Sequence, residues 1–176
     1  KINMNEIAAG LRGRTVLVTG AAGSIGSELC RQIATFGVGR LILFDSAETP
    51  MHNIRLELEA RFPELEFVPV VGDVRVRERV DMVYRSYRPS VVFHAAAYKH
   101  VPLMEENPCE AVMANVVGTC NVADLAVTYS VEKMVMVSTD KAVNPTNIMG
   151  ASKRLAEIYI QSLGLAIAEG KVEGST

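Results

Sequence analysis

Short apolar runs alternate along this chain with longer segments in which apolar residues recur every three or four positions. The short runs predict five β-strands, at residues 15–19, 41–44, 67–71, 91–93 and 134–137. The longer segments predict five helices, at residues 24–36, 47–62, 74–87, 105–129 and 147–163. Because the strands are apolar throughout, both of their faces are expected to be buried, which is typical of a parallel sheet covered by helices. We therefore predict an α/β protein with a doubly wound parallel sheet in the order 3-2-1-4-5, the Rossmann architecture.

A glycine-rich loop with the sequence GAAGSIG connects the first predicted strand to the first predicted helix. Glycines at this spacing allow a tight turn, a close approach of the backbone to a pyrophosphate and close packing of the helix on the sheet. The helix N-terminus adds amide donors and the positive end of its dipole. A glycine turn that serves packing alone is the alternative. The residues expected to bind a dinucleotide here are Gly20, Ala22, Gly23, Ser24, Ile25 and Gly26.

An aspartate ends the second predicted strand, 19 residues after Gly26. Asp45 is placed to accept hydrogen bonds from both hydroxyls of the adenosine ribose and to repel a 2′-phosphate, which favours NAD over NADP. Alternatively, Asp45 or its neighbour Ser46 caps the next helix. Arg40 and Arg55 are available as phosphate partners, so NADP stays open as the cofactor.

The ends of the third and fourth predicted strands are also expected to contact the cofactor. Asp73 is placed to accept from the adenine amine while Val74 flanks the ring, although Asp73 also suits a helix cap. His94 ends the fourth strand, either as a structural histidine or as a chemical group. Small residues then let the backbone pass close to the cofactor. They are Ala95, Ala96 and Ala97.

The fifth predicted strand leads into Ser138-Thr139-Asp140-Lys141, which combines hydroxyl, carboxyl and amine groups. Ligands of an open α/β sheet lie beyond the carboxyl ends of its strands. Asp140 and Lys141 can tune each other's proton affinity, so that one donates a proton while the other removes one. A surface ion pair is the alternative. Lys153, in the last predicted helix, is expected to hydrogen-bond the nicotinamide ribose, and Met149 stands four residues before it.

Composition and charge narrow the class of protein. The chain is 49% hydrophobic and 22% charged, which is ordinary for a globular domain. A net charge of -2 gives no support to a nucleic-acid partner. No apolar run reaches the roughly 18 residues of a membrane span. The cysteines lack the spacing of metal ligands and are expected to be free thiols in a reducing cytosol, so we expect no metal. They are Cys30, Cys109 and Cys120.

The limits of the chain suggest a domain that continues further. It starts at Lys1 instead of a methionine and ends at Thr176, where a parallel sheet would normally go on. We expect residues 1–13 to form a lead-in and residues 14–176 to form a dinucleotide-binding domain that stops before a C-terminal substrate-binding part. Residues 1–176 alone are then expected to be inactive.

Three sequence phrases carry a resemblance to a known family. They are VTGAAGSIGSE at residues 18–28, AYKHVPLME at 97–105 and STDKAVNPTN at 138–147. With them the chain resembles the extended short-chain dehydrogenases/reductases, and within that superfamily the CapD-type UDP-N-acetylglucosamine 4,6-dehydratases of capsular polysaccharide biosynthesis. The first phrase is shared across the superfamily, and the other two are more particular to these dehydratases. The similarity extends from about residue 14 to residue 163.

The resemblance implies a lyase that works through its nicotinamide cofactor. The sugar is oxidised to a ketone at C4, water is eliminated across C5 and C6, and the hydride returns to C6. Asp140 would protonate the leaving hydroxyl at C6, and Lys141 would remove the proton at C5. Lys99 and His100 would reach the UDP-sugar, with a solvated loop lysine as the alternative for Lys99. Asn115 would lie near the cofactor, or else on a polar helix surface.

One position departs from the superfamily pattern Tyr-x-x-x-Lys, because Met149 stands in place of the tyrosine. A thioether has no ionisable proton, so Thr139 or Asp140, through water, would accept the proton of the C4 hydroxyl. The match is to the long, membrane-associated members, which carry this methionine and have membrane segments upstream. This resemblance implies a cytoplasmic domain at the inner face of the membrane. It also implies a homo-oligomer in which helices 105–129 and 147–163 pair across a two-fold axis.

Two rival functions remain open at this point. A nucleotide-sugar 4-epimerase needs the same oxidation at C4 but no acid–base pair for elimination, and it would typically keep the tyrosine. A non-catalytic NAD-binding module is favoured by Met149. The adjacent Asp140 and Lys141 favour the dehydratase.

Overall fold

The computed structural model describes residues 4–96, 106, 108–137, 158–159, 161 and 167–168. The strands are β1 (Thr15–Thr19), β2 (Arg40–Asp45), β3 (Glu66–Val71), β4 (Val91–His94) and β5 (Lys133–Met136). The first helices are α1 (Met4–Leu11), α2 (Ser24–Ala34), α3 (Glu48–Arg61) and α4 (Arg77–Tyr87). A longer helix follows, which comprises α5 (Pro108–Val112), a π-helical segment (Met113–Val117) and α6 (Gly118–Thr128).

The five strands form one parallel sheet in the order β3-β2-β1-β4-β5, which confirms the predicted topology. Because all pairs are parallel, the carboxyl ends of the strands meet at one edge of the sheet. Thr19 at the end of β1 is level with Phe44 of β2 and His94 of β4. The loops that carry the predicted cofactor residues therefore leave the sheet side by side.

Apolar residues on both faces of the sheet explain the continuous apolar strands. Successive side chains of a strand point to opposite faces. Val16 and Val18 of β1 belong to the core layer beneath α2 and α3. Leu17 and Phe44 belong to the layer beneath α4 and α6. The central positions of β1 and β2 are therefore apolar on both faces of the sheet.

The structure corrects the predicted start of α4. The pattern placed it at Val74, but it begins at Arg77 with Val76 as its N-cap. Val74 lies in the preceding turn, and its apolar side chain is buried in the core without being helical. The helix ends at Tyr87, and its C-cap Arg88 has a left-handed backbone (φ 46°) directly before Pro89.

The lead-in contains a helix that the sequence pattern did not predict. Its last residue, Leu11, is buried in the core layer beneath α2 and α3. The backbone N–H of Gly13 donates to the Gly37 carbonyl at 2.9 Å, and that of Gly39 donates to the Arg14 carbonyl at 2.9 Å. These bonds attach the lead-in to the turn after α2.

The helix Pro108–Thr128 is long and apolar enough to cross a membrane by length and composition, contrary to the expectation that no apolar run reaches that length. Half of the most apolar 18-residue stretch of this helix is buried inside the domain. A core helix passes the same test, and α6 packs against α4, where Tyr84 donates a hydrogen bond to the Val122 carbonyl at 2.9 Å. Its composition is therefore weak evidence for a membrane span.

Candidate functional site

The glycine loop turns sharply between β1 and α2. Gly20 has φ +69°, a left-handed conformation that side chains rarely adopt. A Cβ atom there would lie 2.6 Å from the backbone nitrogen of Ala96 and 2.7 Å from the carbonyl oxygen of Ala95. Gly20 thus lets the loop lie directly against the end of β4.

The first turn of α2 packs on this loop. A Cβ on Gly26 would lie 1.9 Å from the Gly20 carbonyl oxygen, so only glycine fits there. Gly23 is the N-cap, and no side chain of the described residues caps the helix at that position. The first N–H groups of a helix have no intrahelical acceptor. The N-terminus of α2 therefore offers donors and a positive dipole end at the carboxyl edge of the sheet.

Asp45 joins the end of β2 to the glycine loop. Its Oδ2 accepts a hydrogen bond from the backbone N–H of Ala22 at 3.0 Å, and its Oδ1 accepts one from Ala47 at 2.9 Å. A carboxylate has about four acceptor positions, so both oxygens keep capacity for further donors. Helix α3 has Ala47 as its N-cap without a side-chain cap from the described residues, so neither Asp45 nor Ser46 caps it.

The two arginines considered as partners for a 2′-phosphate lie elsewhere. Arg40 begins β2, at the edge of the sheet opposite Asp45, where it forms an ion pair with Glu66 at 3.1 Å. Arg55 lies on α3 and pairs with Glu59 at 2.7 Å. Neither arginine is therefore placed to bind a 2′-phosphate beside Asp45.

Asp73, after β3, is bound closely by Arg75. Its Oδ1 accepts from the Arg75 backbone N–H at 2.9 Å, and its Oδ2 accepts from Nε at 2.8 Å and from Nη2 at 2.6 Å. The guanidinium of Arg75 lowers the pKa of Asp73 below its ordinary value. Arg75 also forms an ion pair with Glu110 on α5. Helix α4 is capped at Val76 without any side-chain bond from the described residues, so Asp73 is not its cap.

Val74 and His94 are both buried. The Val74 side chain packs against α6, since a Cβ on Gly118 would lie 2.6 Å from Val74 Cγ2. The Nδ1 of His94 pairs with the Thr19 hydroxyl at 2.6 Å, and its Nε2 pairs with the Thr119 hydroxyl at 2.9 Å. Both ring nitrogens thus have hydroxyl partners inside the protein, which supports the structural role of this histidine.

A small cavity lies beyond β4 and β5, with a volume of about 10 Å³. This is about the space that one water molecule needs. Asn115 lines it from the π-helical segment and is 1% exposed, so the asparagine is buried and does not belong to a polar helix surface. Single π-helical turns occur frequently at functional sites. The other lining residues are His94, Ala95, Ala96, Thr119, Met136 and Val137.

The structure thus brings together the glycine loop, Asp45, Asp73, Ala95 and Ala96 at one edge of the sheet. Several other predicted site residues lie outside the described residues. These are Ala97, Lys99, His100, Thr139, Asp140, Lys141, Met149 and Lys153. Their roles remain predictions.

The sequence pattern did not identify three buried polar residues that hydrogen-bond the residues and turns of the site. They are Thr19, Thr119 and Asn121. Asn121 donates from Nδ2 to the carbonyl oxygens of Val74 at 2.9 Å and of Arg75 at 3.2 Å. The spacing of Asn121 from its apolar neighbours was the signal in the sequence that could have identified it. Asn121 shares a helix face with Gly118 and Leu125, which are buried, and a polar residue on a buried face needs an internal partner.

Comparison with known proteins agrees with this geometry. The family model described as "Polysaccharide biosynthesis protein" matches residues 16–173. The capsular polysaccharide biosynthesis protein CapD of Staphylococcus aureus is 47% identical over 99% of this chain. A UDP-glucose 4-epimerase of Rickettsia rickettsii is 36% identical over 92% of it. The chain spans 31% of the length of CapD and 45% of that of the epimerase.

Solved structures share the fold. The structure of Pen from Bacillus thuringiensis superposes with a TM-score of 0.81 at 30% identity, covering 94% of this chain and 48% of that one. A UDP-glucose 4-epimerase from Brucella ovis, solved in complex with NAD, has a TM-score of 0.75 at 25% identity, covering 88% and 49%. The resemblance found in the sequence is thus confirmed, and the chain belongs to the polysaccharide biosynthesis protein family.

Proposed function

We propose that this chain forms the NAD-binding part of a nucleotide-sugar 4,6-dehydratase that acts on UDP-N-acetylglucosamine in the synthesis of surface polysaccharides. One observation carries the cofactor site: the Asp45 carboxylate is anchored to the glycine loop by the Ala22 amide. The reaction is supported by the sequence phrase around Asp140 and Lys141, and the pathway by 47% identity with a capsular biosynthesis protein.

The described residues fit NAD. Gly20 lies directly against the backbone of Ala95 and Ala96, beside the N-terminus of α2. Amide donors and the helix dipole favour a pyrophosphate at such an N-terminus. Asp45 keeps acceptor capacity for the hydroxyls of the adenosine ribose, and its charge would repel a 2′-phosphate. NAD bound there would supply the acceptor and donor of a hydride. In two solved epimerase structures of this fold, NAD is the cofactor present.

The protein's own residues would then move the protons. During oxidation at C4, the hydroxyl proton passes to Thr139 or Asp140, because Met149 cannot accept it. Lys141 removes the proton at C5, and Asp140 protonates the hydroxyl that leaves C6 as water. With the hydride that a bound cofactor would supply at C6 and a proton at C5, the product would be a 4-keto-6-deoxy sugar. Lys153 would hold the nicotinamide ribose during these steps.

We extend the proposal to the setting of the whole protein. The relatives that carry methionine at the position of Met149 are, by the resemblance stated above, membrane-associated. The domain would accordingly work on the cytoplasmic face of the membrane, near the assembly of lipid-linked sugars. Lys99 and His100 would contact the UDP-sugar, together with a C-terminal substrate-binding part.

Mass spectrometry of the nucleotide sugar tests the reaction. The purified full-length protein is incubated with NAD and UDP-N-acetylglucosamine, and the product is separated by chromatography. We expect a product that has lost one water and carries a ketone. An unchanged nucleotide sugar, with NAD binding demonstrated in the same sample, would contradict this activity and favour a non-catalytic role or another sugar.

A 4-epimerase of the same superfamily is the second candidate. The observation in its favour is the 36% identity with a protein named UDP-glucose 4-epimerase. Its product would keep the mass of the substrate but elute at a different position. The same experiment therefore separates the two reactions.

A further inference from the structure

The turn between β3 and α4, residues 72–76, is held by the side chain of Asn121. As described above, the Nδ2 atom of Asn121 donates to the carbonyl oxygens of Val74 and Arg75. Asn121 is 8% exposed, so its amide is largely removed from water. A buried amide is costly unless it is hydrogen-bonded. These bonds therefore fix two successive peptide groups of the turn relative to α6.

A second contact fixes the same turn through its side chain. Gly118 lies one helical turn before Asn121, and Val74 occupies the space where a Cβ on Gly118 would lie. Val74 is 7% exposed. Val74 is thus held at its side chain by Gly118 and at its carbonyl by Asn121.

The position of the Asp73 carboxylate depends on this turn. Its Oδ1 accepts from the backbone N–H of Arg75, whose carbonyl is bound by Asn121. Its Oδ2 accepts from the guanidinium of the same residue, which also reaches Glu110. A rotation of the peptide groups at residues 74 and 75 would move the amide that orients Oδ1. Helix α6 therefore fixes the turn, and the turn in its place fixes the position of the Asp73 carboxylate.

We propose that Asn121 is a positioning residue for the adenine end of the cofactor site. It does not touch the cofactor; it holds the turn so that the Asp73 carboxylate faces the 6-amino group of adenine at the carboxyl edge of the sheet. This inference rests on the NAD site proposed above. Within the described part of the chain, Asp73 Oδ1 accepts a hydrogen bond from the Arg75 backbone N–H and keeps acceptor capacity for that amine.

A pair of ligands that differ only at the 6-amino group tests the proposal. We would measure, with the purified full-length protein, the Kd of NAD and of the NAD analogue in which purine replaces adenine. A hydrogen bond to a charged acceptor predicts that the wild-type protein binds NAD about tenfold more tightly than the analogue. In Asn121→Ala, we expect the Kd of NAD to rise about tenfold and the preference to fall to less than about twofold, because the analogue never used the carboxylate.

Tyr84→Phe is the matched control. The Tyr84 hydroxyl also makes a buried hydrogen bond from one helix to a carbonyl of another, at 2.9 Å from the Val122 oxygen, but it does not touch the turn. This variant is expected to lower the Tm in the same way as Asn121→Ala while keeping the tenfold preference for NAD. A merely structural role of Asn121 would give the same pattern as Tyr84→Phe.

The outcomes separate this inference from the proposed cofactor site. A wild-type protein that binds neither ligand would overturn both. A wild-type protein that binds the two equally, or an Asn121→Ala variant that loses affinity for both by the same factor, would overturn the positioning role and leave NAD binding in place. If Asn121→Ala does not fold, Gly118→Ala displaces the same turn through Val74 and is expected to remove the preference for NAD; retention of the preference there would count against the proposal.

Discussion

At the scale of single residues, Asp45 connects two parts of the candidate site, because one oxygen binds the glycine loop and the other binds the start of α3. We expect Asp45→Ala to raise the Kd of NAD by about 10- to 100-fold, because the ribose hydroxyls lose a charged acceptor. The variant is also expected to prefer NAD over NADP less strongly, since the charge that repels a 2′-phosphate is gone. Calorimetric titration of the full-length protein with each cofactor measures both effects.

Ser46→Ala is the control for that prediction. Ser46 is adjacent, but α3 begins without a side-chain cap from the described residues, so its removal should leave both Kd values and the Tm unchanged. Equal Kd values for NAD in Asp45→Ala and the wild type would show that Asp45 only supports the loop.

The sequence predicted the positions of these carboxylates better than it predicted their partners. Asp45 and Asp73 follow apolar strands, and parallel strands end at one edge, so their placement follows from topology. Their alternative role as helix caps was wrong, because α3 and α4 begin three and four residues after them. The bonds to Ala22 and Arg75 depend on how loops meet in space. Local spacing contains no information on such contacts.

At the scale of elements, the contact between the glycine loop and α2 requires glycine at Gly26. In Gly26→Ala, the new Cβ would meet the Gly20 carbonyl oxygen at 1.9 Å, so the helix or the loop must move. We expect a loss of at least about 1–3 kcal/mol in the free energy of unfolding, as for other overpacked sites. NAD binding should weaken as well, because the N-terminus of α2 shifts. Chemical denaturation and ligand titration of the purified protein measure the two effects.

Gly10→Ala provides the comparison for Gly26→Ala. Gly10 lies in α1, and a Cβ there would have no described neighbour within 4 Å. Since alanine favours a helix more than glycine does, this variant should be as stable as the wild type or more stable. If both variants lost the same stability, the close contact at Gly26 would not be the cause.

The elements that could be predicted from the sequence were those in which one pattern of apolar residues continues along the whole element. The buried strands have continuous apolar runs, and α2 and α3 have regular helical spacing, so their existence was predicted. The predicted start of α4 was wrong because Val74 is not part of the helical pattern. Its apolar side chain packs against Gly118 from a turn. The π-helical segment Met113–Val117 was missed because it changes the period for only five residues inside a longer apolar helix.

At the scale of the whole molecule, the two core layers have different relations to the site. The layer beneath α2 and α3 includes Cys30 and Leu58 and supports the glycine loop from below. The layer beneath α4 and α6 includes Val74 and Tyr84 and supports the turn that carries Asp73. Because β1 and β2 contribute side chains to both layers, loosening of either layer is expected to reach the carboxyl edge of the sheet.

The reactivity of the three cysteines can show whether the elements around the two core layers open together or separately. Cys30 lies on the face of α2 that packs on the sheet and is fully buried. Burial raises the pKa of its thiol to about 12. Cys109 is exposed on α5, and Cys120 is half-buried on α6 with its pKa raised by burial and by nearby Asp124. The thiolate is the reactive form, so the raised pKa lowers the thiolate fraction of Cys30 in the folded protein.

We therefore expect iodoacetamide at pH 8 to alkylate Cys109 first, Cys120 more slowly and Cys30 last, as measured by mass spectrometry of the digested protein. Alkylation of Cys30 needs α2 to leave the sheet, so its rate should rise with denaturant in parallel with the loss of secondary structure seen by circular dichroism. A Cys109→Ser variant should leave the rate at Cys30 unchanged, since the two thiols lie in different parts of the domain. Alkylation of Cys30 well below the unfolding transition would instead show that α2 opens locally, and the glycine loop that it supports would then be a separately mobile part of the cofactor site.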